Sequence, residues 1–385
     1  MKPDYSDAVS AGDLRRLHDD FKRVYENLRG KKMMFARLHF NRVIQSAWIV
    51  MNEPALWPRI ISDAFRAATG GKKCLRSLEI ALTYRCNARC QQCSCRTYIK
   101  PELEETGKLT IDEIKNAIDQ AVDLGAFQFV LNGGEPLLEK DRVVELTRYI
   151  KRKHKGYVHL CTNGFLLDDE MIDRLSEEKI DSIEMGLDSS EETLHDGNRI
   201  PGSFKKIERI VYLCRKKRIK IVLNTILTNA RVDTDELIRT VFLAMKWRCL
   251  LQITPCCLTG AFSDRMDLLL SEKSKLYFHW LLALSWNNRS DLYSSLTSIK
   301  CPAAREKIGL QPYGDVVSCP LIQITYGNIR ERSLEDIRNE MLKDPYYTMR
   351  DSEGCLPAMS ESFIRERLLG RRRDVTLASG EEQKK

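Results

Sequence analysis

Three cysteines, Cys86, Cys90 and Cys93, form a C-x3-C-x2-C run directly behind a short apolar segment, Leu78 to Leu82. A loop that presents three thiolates can grip three corners of a cubic iron-sulfur cluster, whose four irons normally take four cysteine ligands. One iron is then left open, and a small molecule can bind it and receive an electron from it. The same run could hold a structural zinc ion if a fourth ligand arrived from elsewhere. Zinc sites usually show two C-x2-C-like pairs. Here the gaps are three and two residues with no partner pair nearby, which favours the cluster. Cys95, two residues on, reads as a spare thiol.

A second word, Asn132-Gly133-Gly134-Glu135-Pro136-Leu137, combines paired glycines with a carboxylate. Gly133 and Gly134 let a backbone edge approach a ligand, and Glu135 offers an acceptor to a cationic group. A plain turn between strand and helix would use the same residues. In the last quarter Cys301, Gly314 and Cys319 form C-x12-G-x4-C, and Cys355 follows. Gly314-Asp315, between two β-like runs, predicts a hairpin that carries Cys301 and Cys319 toward one point. Three thiols there suit a second iron-sulfur cluster, against a zinc site or ordinary buried thiols. The fourth ligand is open: a noncysteine group, an earlier thiol such as Cys256 or Cys257, or an iron left free for substrate. Cys74, Cys161, Cys214 and Cys249 sit in apolar or helical settings and read as small hydrophobes. The six histidines lack ligand spacing and read as structural or solvated.

Such words need a scaffold. From Leu78 to Trp286, six β-rich runs alternate with amphipathic helical stretches. The strands are Leu78 to Leu82, Phe127 to Leu131, Tyr157 to Cys161, Ser182 to Leu187, Ile219 to Leu227 and Leu250 to Thr254. Behind them come helices over Ile111 to Leu124, Arg142 to Lys153, Asp169 to Glu178, Ser203 to Lys216, Thr234 to Trp247 and Glu272 to Leu284. That rhythm predicts parallel strands covered by helices, an α/β barrel or part of one. In such barrels the reactive groups lie on the loops after the strands' carboxyl ends.

The cysteine run and its setting, Ala81-Leu82-Thr83-Tyr84-Arg85-Cys86-Asn87-Ala88-Arg89-Cys90, resemble the signature of the radical S-adenosylmethionine (SAM) superfamily. The resemblance covers roughly residues 75 to 365 and implies a partial (β/α)6 TIM-like barrel. It implies a reducing 4Fe-4S cluster on Cys86, Cys90 and Cys93. SAM would chelate the open iron, be cleaved to a 5'-deoxyadenosyl radical, and so abstract hydrogen from a substrate. In the family the GGEP word, Gly133, Gly134 and Glu135 here, contacts the SAM amino group. Asn163 in Thr162-Asn163-Gly164, Asp188 in Gly186-Leu187-Asp188-Ser189, Arg199 and Asn224 match further SAM-facing positions. Two positions depart from the pattern: Gln92 stands where an aromatic residue is common, and Gly186 where a serine is. Arg199 then carries more of the SAM carboxylate, which its planar fork suits. As turn or cap residues, Asn163 and Asn224 would look the same. The C-terminal cysteines, with Tyr326-Gly327-Asn328-Ile329 and a helix over Ser333 to Met341, resemble the SPASM region or its shorter Twitch form. Only Cys301, Cys319 and Cys355 of a full SPASM set of seven are present, so the single-cluster form is the better match. The family implies a reducing partner such as flavodoxin or ferredoxin, and a substrate that is either a peptide or protein, or a lipid or isoprenoid. A noncatalytic iron-sulfur or zinc scaffold is the reading from another class.

Composition bounds the rest. With 385 residues the chain can bury one large core and a smaller module. Thirteen cysteines and no secretory segment after Met1-Lys2-Pro3-Asp4 suggest a reducing cytoplasm. The net charge of +8 lies on solvated helix ends and a tail, with no aromatic-interleaved basic face to argue nucleic acid. Before the barrel, Phe40, Val43, Ile44, Ala47, Trp48 and Met51 form one helical stripe. After a break at Asn52-Glu53-Pro54, Trp57, Ile60, Ile61, Ala64, Phe65 and Ala68 form a second, ended by Gly70-Gly71. Such stripes usually face protein core, here the barrel's open side. Alternatively they lie on a membrane surface with Arg37, Arg42, Arg59 and Arg66 on the polar side, making the protein peripheral. The expected division is a helical extension over 1–74, a core over 75–290, an auxiliary α+β module over 291–365 and a disordered basic tail over 366–385.

Overall fold

Each of the six runs rich in aliphatic residues forms one strand: β1 Ser77–Ala81, β2 Gln128–Asn132, β3 Tyr157–Cys161, β4 Ser182–Gly186, β5 Lys220–Leu227 and β6 Leu250–Pro255. The computed structural model describes residues 9–52, 57–58, 61–62, 65, 74–290, 301–348 and 354–369. Helices α3 Ile111–Asp123, α4 Lys140–Tyr149, α5 Asp169–Glu177, α6 Glu192–Asn198, α7 Ser203–Lys216, α8 Asp235–Lys246 and α9 Glu272–Leu284 alternate with the strands. Their starts are written in the sequence. Thr110 caps α3 in a capping box with Glu113, and Asp168, Thr234 and Ser271 cap α5, α8 and α9 with their side chains.

β1 to β6 pair in sequence order, all parallel, as an open, curled part-barrel. The two-residue β7 Asn288–Arg289 extends the β6 edge. At the other edge β8 Lys307–Leu310 pairs parallel with β1, and β9 Asp315–Cys319 and β10 Ile322–Asn328 follow antiparallel. The C-terminal module therefore continues the core sheet rather than building its own. Its α10, Leu334–Met341, starts at the Ser333 cap.

Because successive strand side chains alternate between faces, the sheet has two characters. Leu78, Ile80, Phe129, Leu131, Val158, Leu160, Ile183 and Leu223 are fully buried in the hydrophobic core. Their neighbours Glu79, Asn132, His159, Glu184, Asn224 and Gln252 line an interior cavity of about 280 Å³ instead.

Helices α1 Ala11–Glu26 and α2 Leu28–Asn52 lie against α9 beside the β7 edge. The Phe21 ring meets Tyr277 edge-on at 4.7 Å, and Trp280 Nε1 donates to Asp20 at 3.0 Å. Inward from α2 come Met34, Leu38 and Asn41, whose amide donates to the Ala283 carbonyl at 3.1 Å. The expected core-facing stripe is thereby overturned: Phe40, Val43 and Met51 are 64%, 65% and 67% exposed. α9 offers carbonyls at its C-terminal end, and Asn41 and Arg37 reach them from the face opposite that stripe. Of the second stripe, Trp57, Ile61 and Phe65 are described and exposed. Ile60, Ala64, Ala68, Arg59, Arg66 and Gly70-Gly71 lie outside the described residues, as does the tail from 370 on. No described helix is long and apolar enough to cross a membrane.

Candidate active site

The cysteine run begins five residues beyond β1 and is held from two sides. Buried Glu104 accepts from Thr83 Oγ1 at 2.9 Å, from the Tyr84 amide at 3.4 Å and from Tyr313 Oη at 2.6 Å. The GGEP loop after β2 docks on the other side, through Gly134 N–H to the Thr83 carbonyl (2.7 Å) and Glu135 N–H to the Arg85 carbonyl (2.9 Å). A Cβ on Gly133 would come within 2.3 Å of the Thr83 oxygen, and one on Gly134 within 2.2 Å of the Arg85 oxygen. The paired glycines are thus required by the contact between two protein loops, before any ligand is considered.

Glu135 is fully buried and its carboxylate accepts from Leu137 N–H (2.9 Å), Thr162 Oγ1 (2.7 Å) and Asn163 N–H (2.8 Å). Burial pushes its carboxyl above the usual range while these donors oppose the shift. It locks the loops after β2 and β3 together. Asn163 does the work of a turn residue, its Oδ1 accepting from the Phe165 amide at 2.8 Å, and its Nδ2 donates to Asn87 Oδ1 at 2.7 Å beside the Cys86 sulfur.

The three thiols are free. Burial pushes Cys86 up to about 11, against the Ala88 N–H that donates to its sulfur. Burial also raises Cys90, opposed by the charge of Arg199. Cys95 is not spare. Its sulfur sits 3.7 Å from that of Cys93 and donates to the Gly133 carbonyl at 3.4 Å; hydrogen bonding from Cys95 holds Cys93 down to about 6.

Arg199 clasps Asp188 with two parallel hydrogen bonds of 2.8 Å, and Gln92, from inside the cysteine run, donates to the same carboxylate at 2.5 Å. Burial works against the Asp188 carboxylate, but Arg199 holds it below the usual range. The Asp188 amide donates to His195 Nδ1, and burial and Arg199 drive that ring down to about 4, leaving a neutral acceptor. A Cβ at position 186 would overlap the Arg199 guanidinium at 2.0 Å. The glycine there is the space that the arginine occupies.

Asn224 faces the cavity and donates to Glu184 at 2.8 Å. Glu184 also meets His159 Nε2 at 3.2 Å, while Ser182 fixes His159 Nδ1 at 2.6 Å. His159, Cys161 and Glu184 bring their ligand atoms within 4.8 Å of one another, the one such trio among the described residues. Cys161, read as a small hydrophobe, instead lines the cavity, while His159, read as structural, is held by Ser182 and Glu184. Alternation could have flagged both, because a polar residue at every second position of a buried parallel strand marks an interior that is not dry. Cys86, Cys90 and Cys93 place three free thiols on one loop, a donor set that fits a cluster.

Cys301 and Cys319 are buried and Cys355 half-buried in the C-terminal module. Burial and the neighbouring Cys355 push Cys301 up to about 11. The predicted hairpin forms, with Gly314 at φ +95° joining β8 to β9. Because β8 pairs with β1, Cys319 lines the same cavity as Cys95 and Gly133.

The radical SAM superfamily model matches residues 80–244, and the SPASM model, an iron-sulfur cluster-binding domain, matches residues 301–356. Residues 80–244 thus form a radical SAM domain. Radical SAM domains bind a 4Fe-4S cluster and SAM, and SPASM domains bind additional iron-sulfur clusters. Among curated relatives, the AdoMet-dependent heme synthase of Methanosarcina barkeri is 32% identical over 165 residues, which is 42% of this chain and 45% of that protein. Mycofactocin maturase MftC of Mycolicibacterium smegmatis is 26% identical over 62% of each chain. The chain thus spans less than two thirds of the length of these relatives. Streptococcus suis SuiB, in a crystal structure with its precursor peptide SuiA, shares the fold at a TM-score of 0.55 and 15% identity, over 74% of this chain and 68% of that one.

Proposed function

We propose that this radical SAM protein is an enzyme that reductively cleaves SAM and abstracts hydrogen from a peptide or protein substrate. The carrying observation is the free Cys86, Cys90 and Cys93 set, on a loop that is clamped between the Glu104 anchor and the GGEP loop and whose Ser94 and Cys95 line the cavity. In this reading Cys86, Cys90 and Cys93 hold a 4Fe-4S cluster that supplies the electron for SAM cleavage. The GGEP loop, Asn163, Asp188, Arg199 and Asn224 shape the SAM and substrate side, and Cys301, Cys319 and Cys355 hold an auxiliary cluster. Residues 75–290 act as the core, 291–365 as the auxiliary module, 1–74 as a helical extension and 366–385 as a tail.

The cavity supports a peptide over a lipid. Glu79 pairs with Lys307 at 2.6 Å on its wall, near His159, Glu184 and Arg289, and an isoprenoid tail among those charges would strip their hydration without replacing it. Two relatives point the same way: one named PqqA peptide cyclase, and SuiB, crystallised with a precursor peptide. The electron would come from a small cytoplasmic carrier such as flavodoxin or ferredoxin. The exposed Phe40, Val43 and Met51 favour peripheral membrane contact through α2.

Anaerobic reconstitution, followed by dithionite and SAM, tests the enzyme reading. 5'-Deoxyadenosine is the expected product. An intact cluster that leaves SAM uncleaved would instead identify a noncatalytic scaffold.

A further inference from the structure

The auxiliary module supplies three thiols, and the SPASM match begins at residue 301. A fourth thiol reaches them from far upstream. Cys257 stands two residues beyond β6, with the Cys256 amide still paired to the Leu227 carbonyl of β5 at 2.9 Å. It is 6% exposed, its side chain is hydrogen-bonded to that of Cys355, and the thiols of Cys256, Cys319 and Cys301 are its further neighbours. Its sulfur also meets the Pro255 carbonyl at 3.4 Å. The adjacent Cys256 feels the charges of Asp267 and Arg265 and no thiol of the module. Of the two neighbouring thiols, Cys257 is the one hydrogen-bonded to a module cysteine.

We propose that Cys257 is the fourth thiolate of the auxiliary cluster, closing it so that no iron is left to bind substrate. This rests on the reading of Cys301, Cys319 and Cys355 as cluster ligands. Four cysteines are the usual complement of such a cube. The same short segment also touches the first cluster's loop. Ala261 N–H donates to the Cys93 carbonyl at 2.8 Å, Thr259 Oγ1 to the Ser94 carbonyl at 3.4 Å, and a Cβ on Gly260 would fall 2.2 Å from the Cys93 oxygen. Cys257 through Ala261 is thus a strap, with a ligand of one cluster at its start and a clasp on the other cluster's loop at its end. Substrate must then be held by protein groups, for which the cavity lined by Cys95 and Cys319 offers its polar side chains.

The full chain, reconstituted anaerobically with iron and sulfide, tests this by iron content and Mössbauer and electron paramagnetic resonance spectra. Wild type is expected to hold about eight irons. Cys257→Ser and Cys301→Ser should alike lose about four irons, or leave a three-iron remnant, while Cys256→Ser stays as wild type. Thermal melts of the metal-free chains check that each variant folds. Cys257→Asp, which returns an oxygen ligand, should recover iron with a shifted auxiliary reduction potential, which a merely structural role would not produce. Independently of any Cys257 variant, iron-edge X-ray absorption on a Cys86→Ala, Cys90→Ala, Cys93→Ala chain should count sulfur alone around the remaining irons. A Cys257→Ser protein with wild-type iron and spectra, where Cys301→Ser has lost its auxiliary signal, overturns the assignment, as does an oxygen or nitrogen neighbour in the absorption spectrum. Wild type with only about four irons, none lost in Cys301→Ser, would instead overturn the auxiliary cluster itself.

Discussion

At Asp188 three side chains from three stretches of chain meet: Arg199, Gln92 and the carboxylate itself, with Arg231 donating to the backbone carbonyl at 2.7 Å. Both ends of the Arg199–Asp188 pair are largely buried, so removing one leaves a charge that water cannot reach. Asp188→Ala is expected to lower the unfolding free energy by about 3 kcal/mol, read by urea denaturation of the metal-free chain. A loss below about 0.5 kcal/mol would mean that the guanidinium finds solvent. The neighbouring loop makes a separate prediction. In Gly134→Ala the new methyl would strike a backbone oxygen that cannot swing away, costing roughly 1–3 kcal/mol. Because the clash falls on the segment leading to Cys86, the variant should also bind less iron on reconstitution. A variant that melts and loads like wild type would remove the loop-clamping role.

Between elements, the clasp that ties the auxiliary module to the core is a surface one. Arg330, behind β10, donates to both Glu113 oxygens, at 2.6 and 3.2 Å, and to the carbonyls of Gly107 and Lys108. Glu113 is also the capping-box residue of α3. Arg330 first, and the Thr110 donors after it, hold this carboxyl down to about 2. The folded value lies below the ordinary one of 4.5, so the contribution is complete above about 4.5 and fades as pH falls toward 2. The metal-free chain should therefore lose thermal stability between pH 5 and pH 3, and Glu113→Gln should lose less over that interval. Equal slopes for the two proteins would show that other carboxylates dominate. Half-exposed partners make the effect modest.

At the scale of the molecule, the sheet carries a cavity lined by Cys95 and Cys319, while α1 and α2 lie beside the β7 edge and turn apolar side chains outward. Phe40, Val43 and Met51 have no core to enter because α2 uses its other face on α9. If that surface meets lipid, the full chain should co-float with anionic liposomes, and Phe40→Ser with Val43→Ser should abolish flotation without changing the melt. Recovery of wild type entirely in the dense fraction would end the membrane reading and leave the cavity chemistry untouched.

Sequence alone determined what depends on near neighbours. Thiol spacing, the helix caps at Thr110, Asp168, Thr234 and Ser271, the Gly314 hairpin and the sixfold β/α alternation are all set within a few residues, by periods of two and 3.6. Tertiary structure decided the rest. The sheet order sets β8 against β1 and so gives Cys319 the same cavity as Cys95; the crossover after β6 delivers Cys257 rather than Cys256 to Cys355. Packing likewise decided that Glu135 would brace two loops, that Gly186 would make room for Arg199, and that α2 would bury Asn41 in place of Phe40. Each of these joins residues that are distant in sequence or selects one of two possible faces, and local patterning carries no term that ranks such alternatives.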